Sequence, residues 1–160
     1  MAPILNQYDR KIKYYSLKIK RSFDFGKWTL DNAIIYQVIN QNDDILNLPQ
    51  FVSRNTLFFS ERIFRNTLAI QTGINFKIFS KYYANEYNPL ISDFHIQNEK
   101  KIGGFPLFDF FFNAKIRQTK IFIIAEHINS SFTGNNFYST PESIYRDFGV
   151  RFGFKWNLFN

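Results

Sequence analysis

Asp147-Phe-Gly-Val-Arg-Phe-Gly-Phe-Lys-Trp-Asn-Leu-Phe-Asn160 alternates large apolar residues with small or charged ones up to the end of the chain. Successive side chains of a strand point to opposite faces, so Phe148, Val150, Phe152, Phe154, Trp156 and Leu158 share one face. Asp147, Gly149, Arg151, Gly153, Lys155 and Asn157 share the other. Six consecutive positions of one face carrying only large apolar residues need a cover. A second sheet could supply it, but few other segments look like that cover; a lipid bilayer supplies it directly.

Composition points the same way. Of 160 residues, 45% are apolar and 20% aromatic, with 21 Phe against 2 Trp, so something must hide many rings. A length of 160 residues is one ordinary domain or a piece of a larger one. No run approaches the roughly eighteen apolar residues of a spanning helix, because Ile121-Phe-Ile-Ile-Ala125 is followed at once by Glu126 and His127. A membrane protein with this sequence must therefore be a barrel. The net charge of +7 comes from Lys and Arg scattered singly through alternating segments, so no nucleic-acid partner is expected. The absence of Cys removes disulfides, thiolate metal sites and a Cys nucleophile. Residues 1–10 hold no apolar core of signal-peptide length. They are read as an N-terminal extension or as residues added for expression, and 11–160 as the β region.

Period-two segments alternate with turn-rich breaks. Lys11 to Phe25 sets Tyr15, Leu17 and Ile19 against Lys18 and Lys20, and Gly26 marks a tight turn. Trp28 to Gln41 sets Leu30, Ile34, Tyr36 and Val38 against Asp31, Ala33, Ile35 and Gln37. Thr56 to Phe64 reads as a shorter, less clearly faced strand. Thr67 to Tyr82 opposes Ile70, Ile74, Phe76 and Ile78 to Gln71, Gly73, Asn75 and Lys77. Tyr83 to Phe105 is a loop with a hairpin inside. After Pro106, Phe108, Phe110, Phe112, Ala114 and Ile116 alternate with Asp109, Phe111, Asn113 and Lys115. Lys120 to Asn129 places Ile121, Ile123 and Ala125 outward and Glu126 inward.

Break lengths then give sidedness. Turns near Gly26, Asn66 and Gln118 are short, whereas 42–55, 83–105 and 130–142 are long, which is the periplasmic-turn and extracellular-loop asymmetry of outer-membrane barrels. If 93–102 stays outside the membrane, seven strands span. Single-chain bacterial barrels have even strand numbers, so an antiparallel transmembrane β-barrel with seven strands here is the C-terminal part of a larger one. If 93–102 spans, eight strands close alone, at the cost of the short-turn rule.

Phe51-Val52 after Leu48-Pro49, Gln71-Thr-Gly-Ile74, Tyr82-Tyr-Ala84, Tyr87-Asn-Pro89, Ile102-Gly-Gly-Phe-Pro106 leading to Asp109, Glu126-His127 and Arg151-Phe-Gly-Phe-Lys-Trp156 carry a family likeness. In this order and spacing the chain beyond about Gln7 resembles the C-terminal portion of the putative porins of Bacteroidota. The resemblance implies an exported barrel of several hundred residues in the outer membrane of a Gram-negative bacterium, of which this chain forms roughly the C-terminal third. The chain departs from that pattern in its length and in lacking a signal peptide.

The final strand also resembles the signal read by barrel-assembly machinery: a polar residue, a spacer, Gly, two spacers, an aromatic, a spacer and a hydrophobic residue. Arg151, Gly153, Trp156 and Leu158 match in order, with Phe159 beside the terminus. A strand with free edge groups can be taken up by another open sheet. The inward charges expected from alternation are Lys18, Lys20, Asp31, Lys77, Asp109, Lys115, Glu126, Asp147, Arg151 and Lys155. Cations outnumber acids there, so a wide lumen would favour anions weakly. The plainer reading is lumenal ion pairs filling a small barrel. Trp28, Tyr82, Tyr83, Tyr145 and Trp156, near strand ends, are candidates for interfacial girdles.

Catalysis finds no support. His95 and His127 read as surface or rim residues with no nucleophile or paired carboxylate at motif spacing. Glu126 and His127 are neighbours and so face opposite sides of a strand. Asp43-Asp44 lacks further spaced oxygens for Ca²⁺, and Gly103-Gly104 is a turn rather than a phosphate loop. No enzyme activity, metal or cofactor is expected. Missing N-terminal barrel strands or partner subunits would complete the sheet, and three functions remain: a porin-like barrel passing small solutes, a structural or partner-binding barrel with a plugged lumen and contacts carried by the long loops, and a soluble lipid-binding barrel with its apolar residues inside.

Overall fold

The computed structural model describes residues 9–132 and 137–157. It is all-β and antiparallel. The strands are β1 (Lys13–Phe25), β2 (Trp28–Asn40), β3 (Phe51–Ile63), β4 (Leu68–Phe79), β5 (Tyr82–Tyr83), β6 (Glu86–Asn88), β7 (Asp93–His95), β8 (Lys101–Ile102), β9 (Leu107–Ile116), β10 (Thr119–Glu126) and β11 (Gly149–Trp156), with one 3-10 turn at Ser130–Phe132. Seven of them form one sheet in the order β1-β2-β3-β4-β9-β10-β11, a meander of sequential neighbours. Two small ladders stand apart from it, β5 with β8 and β6 with β7.

Of the two expected strand counts, the structure takes seven. Residues 93–102 stay outside the large sheet, where Glu86–Asn88 and Asp93–His95 make the expected hairpin inside the loop. Among the described residues β1 and β11 are both edges, and no ladder joins them, so the sheet is open.

The expected short turns all fall at one end of the sheet. Gly26-Lys27 joins β1 to β2, with Gly26 at φ +67°. Phe64, Arg65 and Asn66 all have positive φ in the β3–β4 connection, which Thr67 N–H closes onto the Phe64 carbonyl at 3.1 Å. Arg117-Gln118 joins β9 to β10, with Arg117 at φ 52°. The long connections lie at the opposite end, but their bounds differ from the sequence reading. The loop expected at 42–55 covers 41–50, because β3 starts at Phe51 rather than Thr56. Phe51-Val-Ser-Arg-Asn55 alternates poorly, yet it is held from both sides: Tyr36 pairs with Phe51, and Val52 with Phe79. The last loop, expected at 130–142, covers 127–148, because β10 ends at Glu126 and β11 begins at Gly149. Between them the chain is held by the loop contacts of His127 and Tyr145 described below.

Register fixes the faces. In antiparallel ladders, directly opposed residues point the same way. Trp156, Thr119, Ile116 and Leu68 are opposed in turn across four strands, as are Phe152, Ile123, Phe112 and Thr72. Carried on through β3, β2 and β1, this face also holds Leu57, Leu30 and Phe23. Its large side chains are exposed: Leu17 at 62%, Phe25 at 64%, Phe152 at 82% and Phe154 at 75%. Exposed apolar residues gathered on one face mark a surface for lipid or for a partner. Arg21, Asn32, Ser53 and Asn55 interrupt it near the middle of β1 to β3, and there Asn55 donates to Ser53 Oγ at 2.8 Å.

Close packing between strands falls on two glycines. A Cβ on Gly73 would collide with the Leu57 carbonyl oxygen and come within 2.6 Å of Phe58 Cβ, so the β3–β4 approach requires glycine there. Gly73→Ala is expected to cost about 1–3 kcal/mol, as overpacking does, and to lower the unfolding midpoint of the protein. A Cβ on Gly153 would meet Phe122 Cζ at 2.7 Å. The Phe122 ring thus lies over Gly153 across the β10–β11 ladder, filling the space a side chain would take.

Candidate functional site

The second face of the sheet is polar. Within the seven strands it carries Lys18, Lys20, Arg54, Arg62, Lys77, Lys115, Lys120, Arg151 and Lys155 against Asp24, Asp31, Asp109 and Glu126, an excess of cations. Every inward charge expected from the sequence lies on this face except Asp147. That residue precedes β11, in a segment whose Arg146 carbonyl is drawn to His127 instead of a ladder. Alternation also missed Asp24, Arg54, Arg62 and Lys120. Arg62 follows directly on Glu61, so alternation puts a charge on each face and neither was legible; Lys120 could have been found from outward Ile121 next to it.

Register sorts these charges into bands about two residues apart along the strands. Asp31, Thr56, Asn75 and Asp109 form one row, with Thr56 Oγ1 donating to Asn75 Oδ1 at 2.7 Å. The next row toward the long loops is Lys20, Ala33, Arg54, Lys77 and Leu107. Lys77 Nζ donates to Asp109 Oδ2 at 2.6 Å, with the carboxylate side chain 7% exposed. Arg151 is paired with Glu126, which Arg146 approaches at 3.9 Å. At the short-turn end the row is Arg62, Ala69, Lys115, Lys120 and Lys155. These four cations border one hollow of about 840 Å³ with Gln71 and Asn113, so the sheet curves with its polar face concave.

The long loops fold onto the polar face at the other end. Phe105, Leu107 and Phe137 form a buried cluster with Tyr145 against it, and the Phe105 and Phe137 rings lie 4.6 Å apart. Phe79 and Tyr82 extend it through edge contacts, and burial raises the Tyr82 phenol above its ordinary pKa. Gly103 and Gly104, both at positive φ, bring the chain back against Phe79 and Lys81, and Gly104 N–H donates to the Phe79 carbonyl at 2.8 Å.

His127 corrects the sequence reading. It is fully buried rather than a rim residue, packed edge-on against Phe137 and Tyr145. Its backbone N–H donates to Asp109 Oδ1 at 3.1 Å, and its Nδ1 lies 2.7 Å from the Arg146 carbonyl. A positive φ of 52° turns it off the β10 alternation, which is why neighbour parity placed it wrongly. Asp109 therefore ties the sheet to the loop cluster through Oδ1 while Oδ2 holds Lys77 of the neighbouring strand. His95 is exposed as expected and contacts Glu86 at 3.3 Å. Glu86 also shares a hydrogen bond with Glu142, whose carboxyl is raised above its usual range by that bond and by the like charge.

Of the terminal signal, Arg151, Gly153 and Trp156 lie in β11 at the open edge; Leu158 and Phe159 fall outside the described residues. Trp28 and Trp156 are exposed on the apolar face at its short-turn end, and Tyr82 and Tyr145 belong instead to the loop cluster. Neither Asp43-Asp44 nor Gly103-Gly104 gathers a ligand set: Asp43 meets Arg10 at 3.4 Å.

The family model described as "Putative porin" matches residues 2–160. No curated protein and no solved structure matches the chain.

Proposed function

This chain belongs to the putative porin family, and from that premise we propose that it forms part of an outer-membrane β-barrel through which small solutes pass passively, its apolar face in lipid and its polar face lining the lumen. The carrying observation is the division of the sheet: exposed apolar residues on one face, thirteen charged positions on the concave other. Open sheet edges cannot stand in hydrocarbon because their N–H and C=O groups would be unsatisfied. β1 and β11 are therefore closed in the membrane by further strands or by partner subunits. No chemistry is assigned to the lumen; the chain acts as a passage rather than an enzyme. The excess of inward cations gives that passage a preference for anions.

The test is single-channel recording with the full-length protein in planar bilayers. Ion conductance with a reversal potential displaced toward chloride is expected; a folded barrel that stays closed under all conditions would overturn solute passage. The loop cluster supports a second reading, a barrel plugged at its long-loop end. Phe105, Leu107 and Phe137 cover the polar face there, and such a barrel would be silent in the same recording.

β11 is the edge through which assembly is expected to start. Among the described residues no ladder covers its outer side, and its apolar row includes exposed Trp156. Replacing Trp156 and Phe159 together by Ala is expected to cut membrane insertion severalfold while leaving translation unaffected. Unchanged insertion, read as heat-modifiable protein in outer-membrane fractions, would remove the recognition role.

A further inference from the structure

The row at the short-turn end holds the densest set of like charges on the lumenal face. Lys115 directly opposes Lys120, and Lys120 directly opposes Lys155, so two like-charge cross-strand pairs stand side by side on three adjacent strands. Arg62 lies on the same row two strands beyond Lys115, across the small Ala69. Directly opposed like charges destabilise a ladder. Elsewhere on this face the sheet sets an acid beside the other opposed like-charge pair, Arg54 and Lys77, through Asp109 on Lys77, and it pairs Arg151 with Glu126. Here it does not: among the described residues none of the four makes an ion pair, and the nearby Glu61 lies on the opposite face, paired with Lys27. All four are exposed and border the same hollow. A neutral row containing Gln71 and Asn113 follows, separating the cations from the acids deeper in.

Resting on the porin reading above, we propose that this row is a binding station for small polyvalent oxyanions, phosphates or di- and tricarboxylates, at the short-turn mouth of the lumen. Strand spacing sets the ligand class. Adjacent strands lie about 4.8 Å apart, so Lys115, Lys120 and Lys155 span about 10 Å. That width suits an anion carrying two or three charges more than chloride. Gln71 and Asn113 supply neutral donors for its remaining oxygens. The ligand supplies the counter-charge that the fold omits, and its occupancy relieves the repulsion between the lysines.

The experiment uses the full-length protein and the triple variant Lys115→Gln/Lys120→Gln/Lys155→Gln, with Lys18→Gln/Lys20→Gln as a control from the same face. In bilayers carrying a potassium chloride current, citrate or inorganic phosphate added on the short-turn side is expected to block wild type and control alike. The half-blocking concentration should rise roughly tenfold or more in the triple variant. Equal half-blocking concentrations in all three would overturn the station while leaving the pore intact. A protein that never conducts removes the pore reading; calorimetric titration of citrate into the protein in uncharged detergent still tests the station, and heat that is absent, or unaltered by the triple substitution, overturns it. A phosphorylated lipid that co-purifies with wild type, leaves on the triple substitution and excludes free phosphate would assign the row to lipid headgroups and overturn it equally.

Discussion

Ile123→Arg is expected to block recovery of the folded barrel, whereas Ile124→Arg, one residue further, is expected to be tolerated. Ile123 lies midway along β10 between Phe112 and Phe152, on the apolar face, and is 40% exposed. With that face in lipid, an arginine near the bilayer midplane costs about 2–4 kcal/mol, a large share of the stability of a domain held by only about 5–15 kcal/mol. Ile124 opposes Arg151 and Phe111 on the polar face, where an added cation reaches water; the new opposed pair with Arg151 costs at most about 1 kcal/mol, well below the cost at position 123. Denaturant unfolding in liposomes measures the difference, and heat-modifiable migration shows which variant folds. The reverse outcome, with position 124 intolerant and 123 permissive, would place the apolar face inside and favour a soluble lipid-binding barrel.

Asp109→Ala is expected to detach the loop cluster from the sheet. The carboxylate is buried, accepts from Lys77 at 2.6 Å with one oxygen and from the His127 N–H at 3.1 Å with the other. Removing it leaves a buried N–H without its acceptor and a lysine without its counter-charge. Lys77 keeps access to solvent, so the cost is set mostly by the N–H and the lost packing, about 2–3 kcal/mol. Asp109→Asn should be milder, because one amide oxygen can still accept from His127. Hydrogen exchange provides the readout: amides of 127–132 and of the β5–β8 ladder should lose protection in Asp109→Ala while β1 and β2 keep theirs. In single-channel records the same variant is expected to raise open probability if the cluster obstructs the lumen. Unchanged protection throughout would mean that the aromatic contacts hold the cluster without the carboxylate.

Strand identity and facing were legible because alternation is a local property. Tyr15, Leu17 and Ile19 opposite Lys18 and Lys20, and Phe110 and Phe112 opposite Asp109 and Asn113, follow from the tetrahedral geometry of each residue and need no knowledge of neighbours. The same locality made the short turns readable, since Gly26 advertises a left-handed conformation. Reading failed where local pattern and tertiary pairing disagree. Ser53, Arg54 and Asn55 look like loop, yet they are strand because β2 and β4 both supply partners. His127 looks like a rim residue because parity was carried one position past a backbone that leaves the β region.

The sequence by itself determined the class of the protein, an antiparallel sheet with one apolar and one charged face; that seven strands rather than eight share it was decided by the ladders. The tertiary structure alone also decided which charges stand together. Arg62, Lys115, Lys120 and Lys155 are separated by up to ninety-three positions, 155 less 62, and register alone puts them in one row. Likewise Asp109, His127 and Phe137 meet only because the long loops turn back onto the polar face. Alternation specifies a side of the sheet; ladder pairing specifies a height on it, and a binding site requires both.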